Sequence, residues 1–214
     1  MFKIKISYLQ QKELILKAVS SDGYFSKLGH IWQTLETGVN YPVLHYLPLN
    51  DFNDCNDIEM NAKLGKEFTS SQVLYEEIES IEIPVIVSNV HTNGTKSHSN
   101  GTALTGGPNC AQIFVGFKTV DKTFNTLLEE NWKDWTGARN LYLNLSSDFG
   151  LLKICLMRGI DVNNLDAFMY ILIAYCTHIN DKNRILLLDF VDRFRLQRLS
   201  CYLTVYTNVL NDNI

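Results

Sequence analysis

The chain has 214 residues, 46% of them hydrophobic and 20% charged, enough apolar material to bury the core of one large domain. Its 23 acidic and 19 basic residues leave a formal charge of −4, which argues against a whole-molecule electrostatic grip on a phosphate backbone. No apolar run is long enough to span a bilayer, and the first residues lack the apolar core and cleavage site of a secretory signal.

In chain order, Phe2, Ile4, Ile6 and Tyr8 alternate with polar residues and predict an opening strand. Gln10–Val19 reads as a helix stopped by Asp22-Gly23. Phe25, Leu28, Ile31, Trp32 and Leu35 recur at helical spacing and predict a second helix. Tyr41–Leu49 is extended, and its prolines at 42 and 48 confine it to a sheet edge or an irregular segment. Thr69-Ser-Ser-Gln72 has capping-box spacing ahead of a helix over Val73–Ile81, with Leu74, Ile78 and Ile81 on one face. Ile83–Val90 and Gln112–Phe117 read as two strands joined by a long polar connection. A helix capped by Asp121 runs to about Asn131, and Trp132–Gly137 is a turn carrying two tryptophans. Leu141, Leu143 and Leu145 alternate as a strand. Helices are then predicted over Phe149–Arg158, Leu165–His178 and Lys182–Arg198, while Tyr202–Tyr206 has strand composition. No internal repeat and no linker divides the letters. The fold expectation is therefore one α+β domain over residues 1–214. It has a mixed or mainly antiparallel sheet, flanking helices and a helix-rich C-terminal third.

The connection His91–Cys110 is the strongest functional pointer. Loops this long between strands are functional lids or binding loops, or simply disordered. It carries Asn-Gly-Thr twice, at Asn93 and Asn100, and its ionisable side chains are His91, Lys96, His98 and Cys110. If the flanking strands pair, His91 and Cys110 approach one another, and a thiol–imidazole couple with His98 nearby becomes the candidate catalytic set. The competing reading is a polar loop beside a structural cysteine. The five cysteines are dispersed without a CxxC pair, which suits free thiols in a reducing compartment better than a disulfide framework or a zinc site.

A second pointer is the acidic loop with Asp51, Asp54, Asp57 and Glu59. It lacks the ligand register and mid-loop glycine of a calcium site, so it reads as a surface for a basic partner. Trp132 and Trp135 either pin a turn to the core or anchor a partner. Arg184, Arg193, Arg195 and Arg198 could touch phosphate, but Asp181, Asp189 and Asp192 lie close enough in sequence to pair with them.

No dinucleotide, phosphate-loop, GxSxG or HExxH motif occurs, and neither cofactor nor metal is expected. The first functional expectation is a non-catalytic intracellular protein that binds a macromolecular partner, as an inhibitor, immunity-type antagonist, adaptor or complex subunit. That partner is expected to be a protein with a basic surface. The alternative is a hydrolase or transferase with its site under the 91–110 loop, and the third is a nucleic-acid binder using the C-terminal arginines.

Overall fold

The computed structural model describes residues 7–21, 29–47, 71, 73–84, 107, 109–118, 124–160 and 167–209. Among them seven strands form an antiparallel sheet in the order β2-β1-β7-β4-β6-β5-β3. The contacts divide the chain into two compact units, Met1–Gln72 with Tyr206–Ile214, and Val73–Val205.

In the first unit, α1 (Tyr8–Ser21) opens on a reciprocal capping box. The Gln10 amide donates to Ser7 Oγ at 3.3 Å and the Ser7 amide donates to Gln10 Oε1 at 3.0 Å. Val19 of α1 packs on Ile31, with Ile15, Leu16, Val43 and Val209 around them. Ile31 belongs to β1 (His30–Thr34), which pairs with β2 (Val43–Tyr46) and with residues 206–208 of β7 (Tyr202–Asn208). The helix expected over Phe25–Leu35 is thus a strand where it is described. Neighbours Ile31 and Trp32 are 4% and 1% exposed although they point to opposite faces, so burial on both sides removes the alternation that marks a strand. The extended segment expected near Tyr41 is β2, at one end of the strand order.

The second unit opens with β3 (Tyr75–Glu82) and continues with β4 (Ala111–Phe117), α2 (Thr126–Glu130), α3 (Trp132–Trp135) and α4 (Ala138–Asn144). After β5 (Leu151–Gly159) and β6 (Tyr170–Cys176) come α5 (Arg184–Leu196) and β7. From β4 onward this is β-α-β-β-α-β with spatial order β7-β4-β6-β5, the split βαβ connectivity of ferredoxin-like folds. β3 adds to the free edge of β5.

Helices cover one face of this sheet. Trp135 meets the Phe117 and Tyr170 rings at 4.9 and 5.7 Å, which places α3 over the side that also carries Ile113, Val115, Leu172 and Ala174. Helix α5 packs on the same side, since the Phe194 ring closes on the αL glycine Gly137 between α3 and α4. On the opposite face the Phe168 ring lies flat over Gly116 and contacts Phe114 and Tyr202. All seven residues of β4 are buried.

Four sequence expectations are corrected here. The helix over Val73–Ile81 is β3, whose bulge between Glu77 and Glu79 turns an apolar spacing of two into one of three. The helix over Phe149–Arg158 is β5, with a similar shift between Leu151 and Lys153. The helix over Leu165–His178 is β6 where described, buried on both faces, so its apolar run has no period. The strand at Leu141–Leu145 is instead α4, which buries Ala138 and Leu141 while Leu143 is exposed. The C-terminal third is accordingly rich in strands, and among its described residues α5 is the helix it retains. The expected strands at 2–8 and 83–90 lie largely outside the described residues.

A Cβ at Gly116 would sit 2.7 Å from three atoms of the Phe168 ring. Gly116→Val is predicted to cost about 1–3 kcal/mol through overpacking, read as a lower urea midpoint. An unchanged midpoint would contradict this packing.

Candidate functional site

The helix-free face of the second unit is where polar chemistry collects. The register Gln112↔Tyr175, Tyr175↔Lys153 and Lys153↔Glu82 sets four polar side chains in one transverse row across β4, β6, β5 and β3. The next row is Phe114, Ile173, Cys155 and Ser80, and the one after it Gly116, Ile171, Met157 and Glu77. The polar row grades from Gln112, 2% exposed, to exposed Glu82 on β3, the terminal strand of the order. A polar row that is buried at Gln112 and half-buried at Tyr175 and Lys153, on a face that no described helix covers, is unlike the opposite face, which is apolar beneath its helices.

Lys153 Nζ donates to both Glu77 carboxylate oxygens, at 2.7 and 2.9 Å. Burial pulls the Lys153 ammonium down, but hydrogen bonding and charge from Glu77 outweigh it and leave the group above its ordinary value. Lys153 is therefore a fixed cation at neutral pH. Cys155, 1% exposed, is pushed up to about 12 by burial and then by Glu77, against smaller opposing effects of Lys153 and a hydrogen bond with Tyr175. It is a neutral thiol, unsuited to nucleophilic work. The arrangement can hold and orient a polar group, with the Lys153 ammonium as a fixed positive charge beside it.

A second ionic network lies at the rim of the helical face. Arg158 on β5 donates from Nη1 to Glu129 of α2 at 3.0 Å and from Nε to Glu76 of β3 at 2.9 Å, while its guanidinium lies over the Phe124 ring. The buried Tyr170 hydroxyl donates to the same Glu129 oxygen at 2.9 Å. Every partner is satisfied within the network, which ties α2 to the sheet. Its role is structural.

The residues singled out from sequence fall as follows. His91, His98, Asp51, Asp54, Asp57 and Glu59 lie outside the described residues. Cys110 is half-buried at the start of β4, close enough to buried Cys176 for its charge to help burial raise that thiol to about 12. Among the described residues no cluster of His, Cys, Asp and Glu could hold a metal. Trp132 is 2% exposed and Trp135 sits in the aromatic cluster with its indole N–H donating to the Leu128 carbonyl. Trp132 is therefore buried in the core, and Trp135 is half-buried against the Phe117 and Tyr170 rings. Arg184, Arg193 and Arg195 pair with Asp181, Asp189 and Asp192 along α5. Arg198 is different, because it donates to the carbonyls of Trp135 and Asp134 at the end of α3. The polar row itself was missed. Gln112, Lys153 and Tyr175 are far apart in sequence, and the signal that could have exposed them was a single polar letter inside each otherwise apolar run.

Comparison with known families matches residues 26–208 to a family described as Domain of unknown function (DUF7153). The chain belongs to the DUF7153 family. No curated protein and no solved structure matches it. Among the described residues no helix is long and apolar enough to cross a membrane.

Alkylation of this DUF7153 chain under native conditions at pH 8 is predicted to modify Cys110 and spare Cys155 and Cys176, as read by peptide mass spectrometry. Both buried thiols titrate at about 12 instead of 9.0, so the stability they contribute is complete below pH 9 and is lost between pH 9 and about 12 as the unfolded chain ionises first. Rapid native labelling of Cys155 would contradict the enclosed face.

Proposed function

We propose that this protein binds a small molecule with an apolar, ring-like body and an oxygen-bearing polar end on the helix-free face of its second unit. The observation that carries the reading is the polar row Gln112–Tyr175–Lys153–Glu82 next to the apolar rows of Phe114, Ile173, Cys155, Ile171 and Met157. Ligand sites are mostly apolar with a few convergent polar groups that fix orientation. Here the Gln112 amide, the Tyr175 hydroxyl and the Lys153 ammonium supply donors at one end, and the exposed β3 side of the row supplies a route in. Thiol catalysis by Cys155 does not suit the site, because burial keeps that thiol neutral. This differs from the thiol–imidazole expectation, yet it keeps the site at the end of β4 that the 91–110 segment enters.

The test is thermal unfolding of the full chain with a panel of hydroxylated and carbonyl-bearing aromatic compounds, against the parent hydrocarbons. A ligand present at one hundred times its Kd stabilises the folded state by about 2.7 kcal/mol. Lys153→Met is predicted to weaken binding of the preferred compound by about tenfold or more, the loss of one hydrogen bond to a charged group, and Gln112→Leu by a smaller factor. Equal binding to both variants, or no shift with any compound, would sink the reading.

A further inference from the structure

The outer surface of α3 and α4 carries a depression of about 310 Å³ that the polar row does not involve. Its lining includes Lys133, Arg139 and Arg198 against one carboxylate, Asp134, together with Asn140 and the side chain of Leu143. Leu143 is 68% exposed, although helices of this size normally turn leucine inward. Arg198 is held rigidly by two α3 carbonyls, and Gln197 beside it accepts a hydrogen bond from Asn140 at 3.0 Å. Near Arg198 and Leu143 in sequence, Leu196 and Leu199 are 74% and 84% exposed and Tyr142 is 49% exposed. Exposed apolar side chains rimmed by charge mark protein-binding surfaces. The hydrogen bond from Arg139 and its charge hold Asp134 ionised, below the usual carboxylate range, so the rim keeps a net positive charge at neutral pH.

We infer that this surface docks an acidic amphipathic segment of a partner protein, with an apolar side chain against Leu143 and carboxylates facing Lys133, Arg139 and Arg198. Charge complementarity chooses the occupant. A basic segment would meet a rim that stays net positive even with Arg139 paired to Asp134, and a nucleic acid would find Leu143 in the lining and the other C-terminal arginines paired with aspartates along α5. The partner chemistry is thus the opposite of the one the acidic loop suggested. The surface is independent of the ligand face, so either assignment can fail alone.

The test is fluorescence polarisation of the full chain with a labelled helix-forming Glu/Leu peptide. Its Lys-for-Glu counterpart and a duplex oligonucleotide serve as competing probes. The Glu/Leu peptide is expected to bind, with affinity falling at least tenfold between low and moderate salt. The double variant Lys133→Glu/Arg139→Glu and the single variant Leu143→Asp should each weaken it at least tenfold, whereas Leu186→Asp on α5 should not. Circular dichroism on each variant separates lost binding from lost folding. Absence of Glu/Leu peptide binding, equal binding of the Lys/Leu peptide, tighter binding of the oligonucleotide, or indifference to folded Leu143→Asp would each overturn the proposal.

Discussion

A sheet buried on both sides needs two coverings, and among the described residues of the second unit only one of them is helical. All seven residues of β4 and nearly all of β6 are buried, yet the described helices lie on the side of Val115 and Leu172. This double burial is the constraint on which the rest depends. It demands apolar letters at consecutive positions, it makes Gly116 necessary beneath the Phe168 ring, and it sets a penalty on every polar group placed between the coverings. In the polar row Gln112 incurs that penalty in full, and half-buried Tyr175 and Lys153 incur part of it.

The same constraint decides what could be read from the letters. Helix α5 was legible as a helix because one of its sides faces water, but its inward face was not: the spacing suggests Leu186, Phe190 and Phe194, whereas Leu187, Val191 and Phe194 are buried and Leu186 is 60% exposed. Helix α1 and strand β4 were legible for similar reasons, one through its amphipathic period and the other through short length and bounding polar residues. β6 was not, because Tyr-Ile-Leu-Ile-Ala-Tyr-Cys has no period when both faces are apolar. β3 and β5 failed for a narrower reason. A single extra residue at each bulge shifts the apolar spacing toward that of a helix, and Leu151, Leu152, Cys155 and Leu156 then mimic a helical stripe.

The candidate site was hidden for the same physical cause. Its members come from four strands, and register, which no local pattern encodes, brings them into line. Segments with conspicuous composition, the acidic loop and the 91–110 connection, drew the sequence argument because their letters are unusual, whereas the polar row consists of ordinary residues in an unusual place. The arginines divide in the same way. Spacing to Asp181, Asp189 and Asp192 anticipated the pairing of three of them, while Arg198 owes its role to a tertiary contact with the end of α3. Edge strand β3 adds a last point. Its glutamates, which looked like the polar side of a helix, instead charge the end of a sheet and guard it against further pairing.

The most direct test of the account asks whether the helix-free face is enclosed. Hydroxyl-radical footprinting reads this residue by residue, and Met157, 9% exposed on that face, is an intrinsically reactive reporter. The account predicts slow oxidation of Met157 and Phe114 alongside rapid modification of Leu199, Leu143 and Tyr142 on the helical surface. Oxidation of Met157 as fast as that of Leu199 would contradict it.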